Sequence, residues 1–322
     1  MRSTTARRHW TRRSDCDGQR WKGEALSDAP GCRTVRTRAL DIALLSWGPA
    51  DGPPIILLHG FPYDAHGFDA VGRRLGAAGM RVIAPFLRGM GGTRFRDDRT
   101  MRSGEQAALA EDLRDLMDAL ALPRAVLLGY DWGGRAACAA AVLWPDRVRG
   151  LVAIGGYLIQ DNGDPARPAP AAIEQLAWHQ YYLASERGRR ALAERREEVC
   201  RHFWTHWSPG VALDEAAFDQ ALASFDTPDF GAVVWHSYAH RIGAAAGDPA
   251  YAATALRLNG RPAIPVPALI VRGANALLGG GGEADFSRPA GSVSIAGAGH
   301  NPPLERPQEM VQAVLRFVRE LG

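Results

Sequence analysis

The chain has 322 residues, 46% of them hydrophobic, and a formal net charge of +3. That length suits one large α/β domain carrying an insertion, and that composition can bury a real core. Residues 1–40 hold ten basic side chains, nine Arg and Lys22, against Asp15, Asp17, Glu24 and Asp28, so the remainder is acidic and is no nucleic-acid binder by charge.

Cys16, Cys32, Cys138 and Cys200 lack C-x-x-C spacing. They indicate neither a disulfide framework nor a zinc site, and a reducing cytoplasm fits. Arg12-Arg13 is not followed by the apolar stretch of an export signal. No window approaches the roughly 18 apolar residues of a membrane span. The expectation is a soluble cytoplasmic protein that engages no membrane.

Residues 1–33 have no apolar periodicity and read as a disordered basic tail. Val35–Leu40 and Ile42–Trp47 read as two short strands that pair. Ile55–Leu58 is a buried strand ending in His59-Gly-Phe-Pro62. A helix over Gly67–Ala78 and a strand over Met80–Pro85 follow, then the loop Leu87-Arg-Gly-Met-Gly-Gly-Thr93. Ser103 with Gln106 matches a capping box, and Leu109, Leu113, Leu116 and Leu120 stripe a helix reaching Leu122. Ala125–Leu128 is a strand that turns through Gly129-Tyr-Asp-Trp-Gly133 into an Ala-rich helix over Arg135–Leu143. Leu151–Gly156 is the next strand. Strands alternating with helices imply a mostly parallel sheet covered on both faces.

The alternation stops after Gly156. Residues 157–262 read as a helical cap rich in aromatics, including Trp178, Tyr181, Tyr182, Trp204, Trp207, Trp235 and Tyr238. The core, residues 34–156 and 263–322, resumes with strands Pro267–Arg272 and Ser292–Ala296, then Gly297-Ala-Gly-His300 and the amphipathic helix Pro307–Leu321.

A sharp strand–turn–helix needs small residues on both sides of the turn, the logic of the G-x-S-x-G nucleophile elbow. Here Asp131 stands where serine usually stands. A carboxylate at that position suits attack on saturated carbon, which gives an alkyl ester of the enzyme that water then cleaves. His300 is the candidate base for that water. The backbone N–H groups of Trp132 and Phe61 are the candidate oxyanion hole.

From about Val35 onward the chain resembles the α/β-hydrolase-fold epoxide hydrolases. The likeness rests on His59-Gly-Phe-Pro62, Arg88-Gly-Met-Gly91, Gly129-Tyr-Asp-Trp-Gly-Gly134 and Gly299-His300. It implies an α/β-hydrolase core with an inserted helical cap, no cofactor and no metal, and a small apolar substrate. It further implies two cap tyrosines that donate hydrogen bonds to the epoxide oxygen, placed here at Tyr181, with Tyr182 next, and at Tyr238.

The related haloalkane dehalogenases commonly carry Asn where this chain has Phe61. Fluoroacetate dehalogenases carry Asp-Arg where this chain has Asp131-Trp132. The third catalytic residue of the family falls in a Gly-x-x-Asp pattern, and this chain reads Gly273-Ala-Asn-Ala276. Asp161, Glu283, Asp285 and Asn275 are the candidate replacements. A dehalogenase, or a ligand-binding homologue without turnover, stand as alternatives to the epoxide hydrolase. The pairs His202/His206 and His236/His240 have a spacing zinc can use, but lack the glutamate of H-E-x-x-H. No phosphate loop or dinucleotide fingerprint occurs in the right context.

Overall fold

A computed structural model describes residues 30–165 and 167–322. The tail expected to be disordered lies outside the described residues except for residues 30–33, and Gly31, Cys32 and Arg33 open the first strand instead. Strands β1 (Gly31–Arg36) and β2 (Leu40–Trp47) pair antiparallel. Then come β3 (Pro54–Leu58), α1 (Asp69–Ala77), β4 (Arg81–Pro85), β5 (Arg94–Phe95), α2 (Gln106–Ala119), β6 (Ala125–Tyr130), α3 (Asp131–Leu143) and β7 (Val148–Ile154). Seven helices interrupt the alternation: α4 (Ala171–Leu176), α5 (Trp178–Ala184), α6 (Glu186–Glu194), α7 (Arg196–Trp207), α8 (Glu215–Ser224), α9 (Phe230–Arg241) and α10 (Ala252–Leu256). Strands β8 (Ile264–Gly273) and β9 (Phe286–Ile295) and helices α11 (Pro302–Glu305) and α12 (Pro307–Glu320) complete the chain.

The sheet runs β1-β2-β4-β3-β6-β7-β8-β9, with β5 on β2. From β4 to β9 every neighbouring pair is parallel. Helices cover both faces of such a sheet, so its central strands can be apolar throughout rather than alternating. Ile55–Leu58 and all of β6 are accordingly buried. Leu58 sits opposite Gly129, which brings the loop after β3 beside the turn after β6. Ligands of open α/β sheets bind outside these carboxyl ends.

The expected Ser103 cap does not form. Helix α2 starts at Gln106, and the Ser103 hydroxyl donates to Glu105 Oε1 at 3.0 Å. The Ser103 carbonyl is taken by Arg88 at 2.8 Å, which holds that residue away from the helix start. Arg88 is buried, grips Asp112 through two bonds of 2.6 and 2.7 Å, and reaches Tyr251 Oη at 3.1 Å. It therefore ties the loop after β4 to α2 and to the far end of the helical insertion. Deleting one partner of such a buried pair costs roughly 3–5 kcal/mol.

The inserted helices close over the strand ends by direct bonds. Trp204 Nε1 donates to the Pro62 carbonyl at 2.6 Å, and the Gly91 amide to the Ser224 carbonyl at 2.7 Å. Cys32 is disulfide-bonded, against the expectation from cysteine spacing, while Cys138 and Cys200 are free and buried. No helix among the described residues is long and apolar enough to cross a membrane.

Candidate active site

Asp131 begins α3 with φ of 48°, a left-handed conformation that costs a non-glycine residue and clusters at functional sites. The turn around it leaves no room for side chains. A Cβ on Gly129 would lie 2.5 Å from the Gly133 carbonyl oxygen, and one on Gly133 would lie 2.1 Å from that of Leu58. A Cβ on Gly60 would stand 2.5 Å from Asp131 Cβ and 2.8 Å from its Oδ1. The elbow is locked to the neighbouring loop by Gly133 N–H donating to the His59 carbonyl at 2.9 Å.

The carboxylate already sits in part of its expected anion hole. Phe61 N–H donates to Asp131 Oδ1 at 2.8 Å, and the Trp132 N–H, in the first turn of α3, has no intrahelical acceptor. The Phe61–Pro62 peptide is cis. His59 shapes this loop rather than reacting. Its Nε2 accepts from Leu87 N–H at 3.0 Å, so its Nδ1 is the donor to the Gly60 carbonyl, also at 3.0 Å. Complete burial pushes its pKa down and keeps it neutral.

An aromatic cluster gathers around the Phe61 ring. The Phe61 ring stacks on Trp132 at 5.6 Å and meets the edge of Tyr238 at 5.7 Å. The Trp132 indole N–H and the Tyr238 hydroxyl are both buried and meet no hydrogen-bond partner of good geometry among the described residues, although the indole lies close enough to the phenol to oppose the rise in its pKa. Buried polar groups are rarely left so, and those that are mark strain, a missing ligand or chemistry. Burial, and next the Asp131 charge, push the Tyr238 pKa well up, so its phenol is a neutral donor.

Tyr181 is not part of this group. It is 47% exposed, and its hydroxyl donates to Glu174 at 2.5 Å. The reason is the helical period: on α5 the inner face holds His179 and Leu183, both buried, and residue 181 falls on the opposite side. Tyr182 packs half-buried against Trp178 at 5.7 Å. His179, with Gln180 and Leu176, lines the cavity from the inserted helices, and its i, i+4 spacing to Leu183 is the sequence signal that marks the inner face. Burial, then the neighbouring Arg241, push its pKa down to about 3, so it is neutral.

His300 follows β9, its ring 5.2 Å from Trp207 and 6.2 Å from Tyr130. Its Nε2 is buried without a partner. Burial lowers its pKa, opposed by the charges of Asp131 and Glu305, and the neutral imidazole is the form a base needs. Among the described residues no carboxylate forms a hydrogen bond or ion pair with that ring.

The proposed replacements for the acid are engaged elsewhere. Asp161 Oδ1 accepts from the amides of Gly163 and Gly260 at 3.0 and 3.2 Å. Asp285 faces Arg261 at 3.7 Å, and Glu283 opens the same short turn. Asn275 Nδ2 donates to the Pro209 carbonyl at 3.3 Å.

The carboxylate that does support His300 is Glu305, which the sequence did not reveal. Its Oε2 accepts from Gly299 N–H and its Oε1 from Asn301 N–H at 3.3 Å and from Ser208 Oγ at 2.5 Å. Ser208 Oγ in turn accepts the His300 N–H at 2.9 Å. One carboxylate thus holds the backbone on either side of the histidine and, through Ser208, the histidine itself.

Asp131, His300, His179 and Ala276 line one cavity of about 350 Å³. Arg135 and Arg241 line it too, beside Ile154, Leu158, Leu176, Leu277 and Leu278. Among the described residues no three His, Cys, Asp or Glu side chains converge as a metal-ligand set. His236 instead accepts from Gly104 N–H and donates to the Ala246 carbonyl, and His240 faces Glu105 at 3.4 Å.

The family profile of the alpha/beta hydrolase fold matches residues 53–277. Epoxide hydrolase B of Mycobacterium tuberculosis is 32% identical over 171 residues, 48% of this chain and 47% of that protein. A haloalkane dehalogenase of Mycobacterium marinum is 36% identical over 118 residues, 36% of this chain and 38% of that protein. The aligned region thus spans half or less of these two relatives. A crystal structure from Klebsiella pneumoniae, of a protein provisionally described as an epoxide hydrolase, superimposes with a TM-score of 0.86 at 36% identity. It covers 89% of this chain and 97% of that one.

Proposed function

We propose that this chain, which belongs to the α/β-hydrolase-fold family and is an epoxide-hydrolase-like member of it, opens epoxides through an ester on Asp131. An Asp131 oxygen attacks an epoxide carbon, the carbon–oxygen bond breaks, and the departing oxygen takes the proton of the Tyr238 hydroxyl. His300 then removes a proton from water, and the hydroxide adds to the carboxyl carbon of the ester. The oxyanion forms at Oδ1, against the N–H groups of Phe61 and Trp132. Collapse expels the diol oxygen, which takes the proton from the imidazolium and leaves Asp131 as a carboxylic acid; that acid returns its proton to the Tyr238 oxygen, which restores both side chains.

The observation that carries this reading is the left-handed Asp131, whose Oδ1 is already bonded to the Phe61 N–H and whose charge helps to hold the buried Tyr238 phenol neutral. With no carboxylate on the His300 ring among the described residues, release of the ester is the slow step. Intact-protein mass spectrometry under single-turnover conditions tests it. Epoxides should add their mass to Asp131, and the Asp131→Asn variant should take up none. An epoxide panel that never alkylates Asp131 overturns the reading. The free Trp132 indole N–H also fits a halide, so the second reading is a dehalogenase, revealed by halide release from haloalkanes or haloacids. An adduct that never decays would leave a ligand-binding homologue.

A further inference from the structure

Arg135 lies four residues after Asp131 on α3, and so on the same face of that helix. Its Nη1 donates to the Leu158 carbonyl at 3.1 Å and to Gln160 at 3.4 Å, while its Nε is buried without a partner. Arg241 ends α9, three residues after Tyr238, and is 7% exposed. Its guanidinium lies 4.7 Å from the Tyr238 ring and 5.8 Å from the Trp132 ring, and gives Ser237 Oγ one bond of 3.1 Å. One cation reaches the cavity from the sheet side and the other from the inserted helices.

Neither has an acidic partner among the described residues. Desolvating a cation without a counter-charge is costly, and buried charges are ordinarily paired. The strain registers on Arg135, whose pKa burial and then Arg241 push down to about 9. Among the described residues Asp131 is the one carboxylate lining the cavity, against three arginines, so the lining carries more cationic charge than it offsets. A third arginine of the lining, Arg272, is turned onto the carbonyls of Gly155, Gly280 and Gly281.

We infer that Arg135 and Arg241 form an anion-recognition subsite, and that the substrate is a small monoanion: an epoxide at one end of a short apolar chain with a carboxylate at the other. Planar guanidinium edges match a carboxylate, and the excess of cations in the lining favours an anion. Leu158, Leu176, Leu277 and Leu278 line the same cavity and take the chain between. The inference deepens the epoxide reading and rests on it for the reacting group, but the subsite is testable without any reaction.

Calorimetry of the full chain with hexanoate, hexanamide and hexyl phosphate is that test. Hexanoate should bind roughly tenfold or more tightly than hexanamide, and Arg135→Gln or Arg241→Gln should remove about that factor. Equal affinity for acid and amide overturns the subsite, and this comparison needs only the native protein if a variant fails to fold. Folded variants that bind hexanoate as before also overturn it, and a preference for hexyl phosphate overturns the choice of carboxylate. In the reactive arm, 5,6-epoxyhexanoate should alkylate Asp131 faster than its amide. Arginine-dependent binding of hexanoate with no adduct from any epoxide would sink the epoxide reading and leave the subsite standing. Equal alkylation by the acid and the amide, without hexanoate binding, would do the reverse.

Discussion

The Asp131 end of the cavity and the His300 end are built to different tolerances. Around Asp131, three glycines leave no space for a Cβ, a left-handed residue is enforced, and Oδ1 is bonded to a backbone N–H. Around His300 the backbone is clamped by Glu305 and Ser208, yet among the described residues the ring Nε2 has no partner, and Ala276 faces the same cavity. Pre-organisation is concentrated on Asp131, the group proposed to form the ester. The proposed hydrolysis of that ester falls to an imidazole oriented from its main chain.

Gly60→Ala breaks the rigid end most directly. Its Cβ would stand 2.5 Å from that of Asp131, so the nucleophile must move, and alkylation should fall by about 100-fold or more. Stopped-flow or quenched mass spectrometry of adduct formation measures this, and a rate near the native one would refute the claim that the elbow depends on that glycine.

His300→Gln separates the two ends. Adduct should form at close to the native rate and then persist, with its decay slowed by roughly 100-fold or more. Loss of alkylation in a folded protein would show that the two ends are not separate.

Ala276→Asp should repair the His300 end. A carboxylate on the imidazole stabilises the charged ring, so ester decay should quicken by about 10-fold or more, against the roughly 10⁴-fold cost of disabling an acid in a serine triad. Unchanged decay would mean that the loop cannot bring the new side chain to the ring.

Glu305→Gln should act more mildly, slowing decay a few-fold while leaving alkylation alone. The Glu305 charge raises the His300 pKa, so removing it should shift the acid limb of decay to lower pH, a change that a purely structural role would not produce.

The smallest effect is that of pH on stability. Burial lowers the pKa of His59, His179 and His300 from 6.5. Below that value the unfolded chain binds protons that the folded chain does not, so stability falls as pH falls from about 6.5 towards the folded values. Thermal melts at pH 7.5 and 5.5 should show the lower midpoint at the more acidic pH.

Sequence alone determined what depends on short stretches of chain. Apolar runs such as Ile55–Leu58 and Ala125–Leu128 marked the central strands, because a sheet covered on both faces needs side chains of one kind. Gly129, Gly133 and the Asp between them marked the elbow, because backbone crowding at a sharp turn is a local matter. The helical insertion showed as a break in the alternation.

Tertiary structure decided what depends on which face turns inward and on which distant groups meet. It turned Tyr181 outward and His179 inward, since one step of two residues on a helix reverses the side. It put Glu305, five residues beyond His300, onto that residue's flanking amides through the bend between β9 and α11. It also brought Arg135 and Arg241, 106 positions apart in the sequence, to one cavity without a carboxylate for each. No periodicity encodes that meeting, because it depends on how the inserted helices sit over the strand ends.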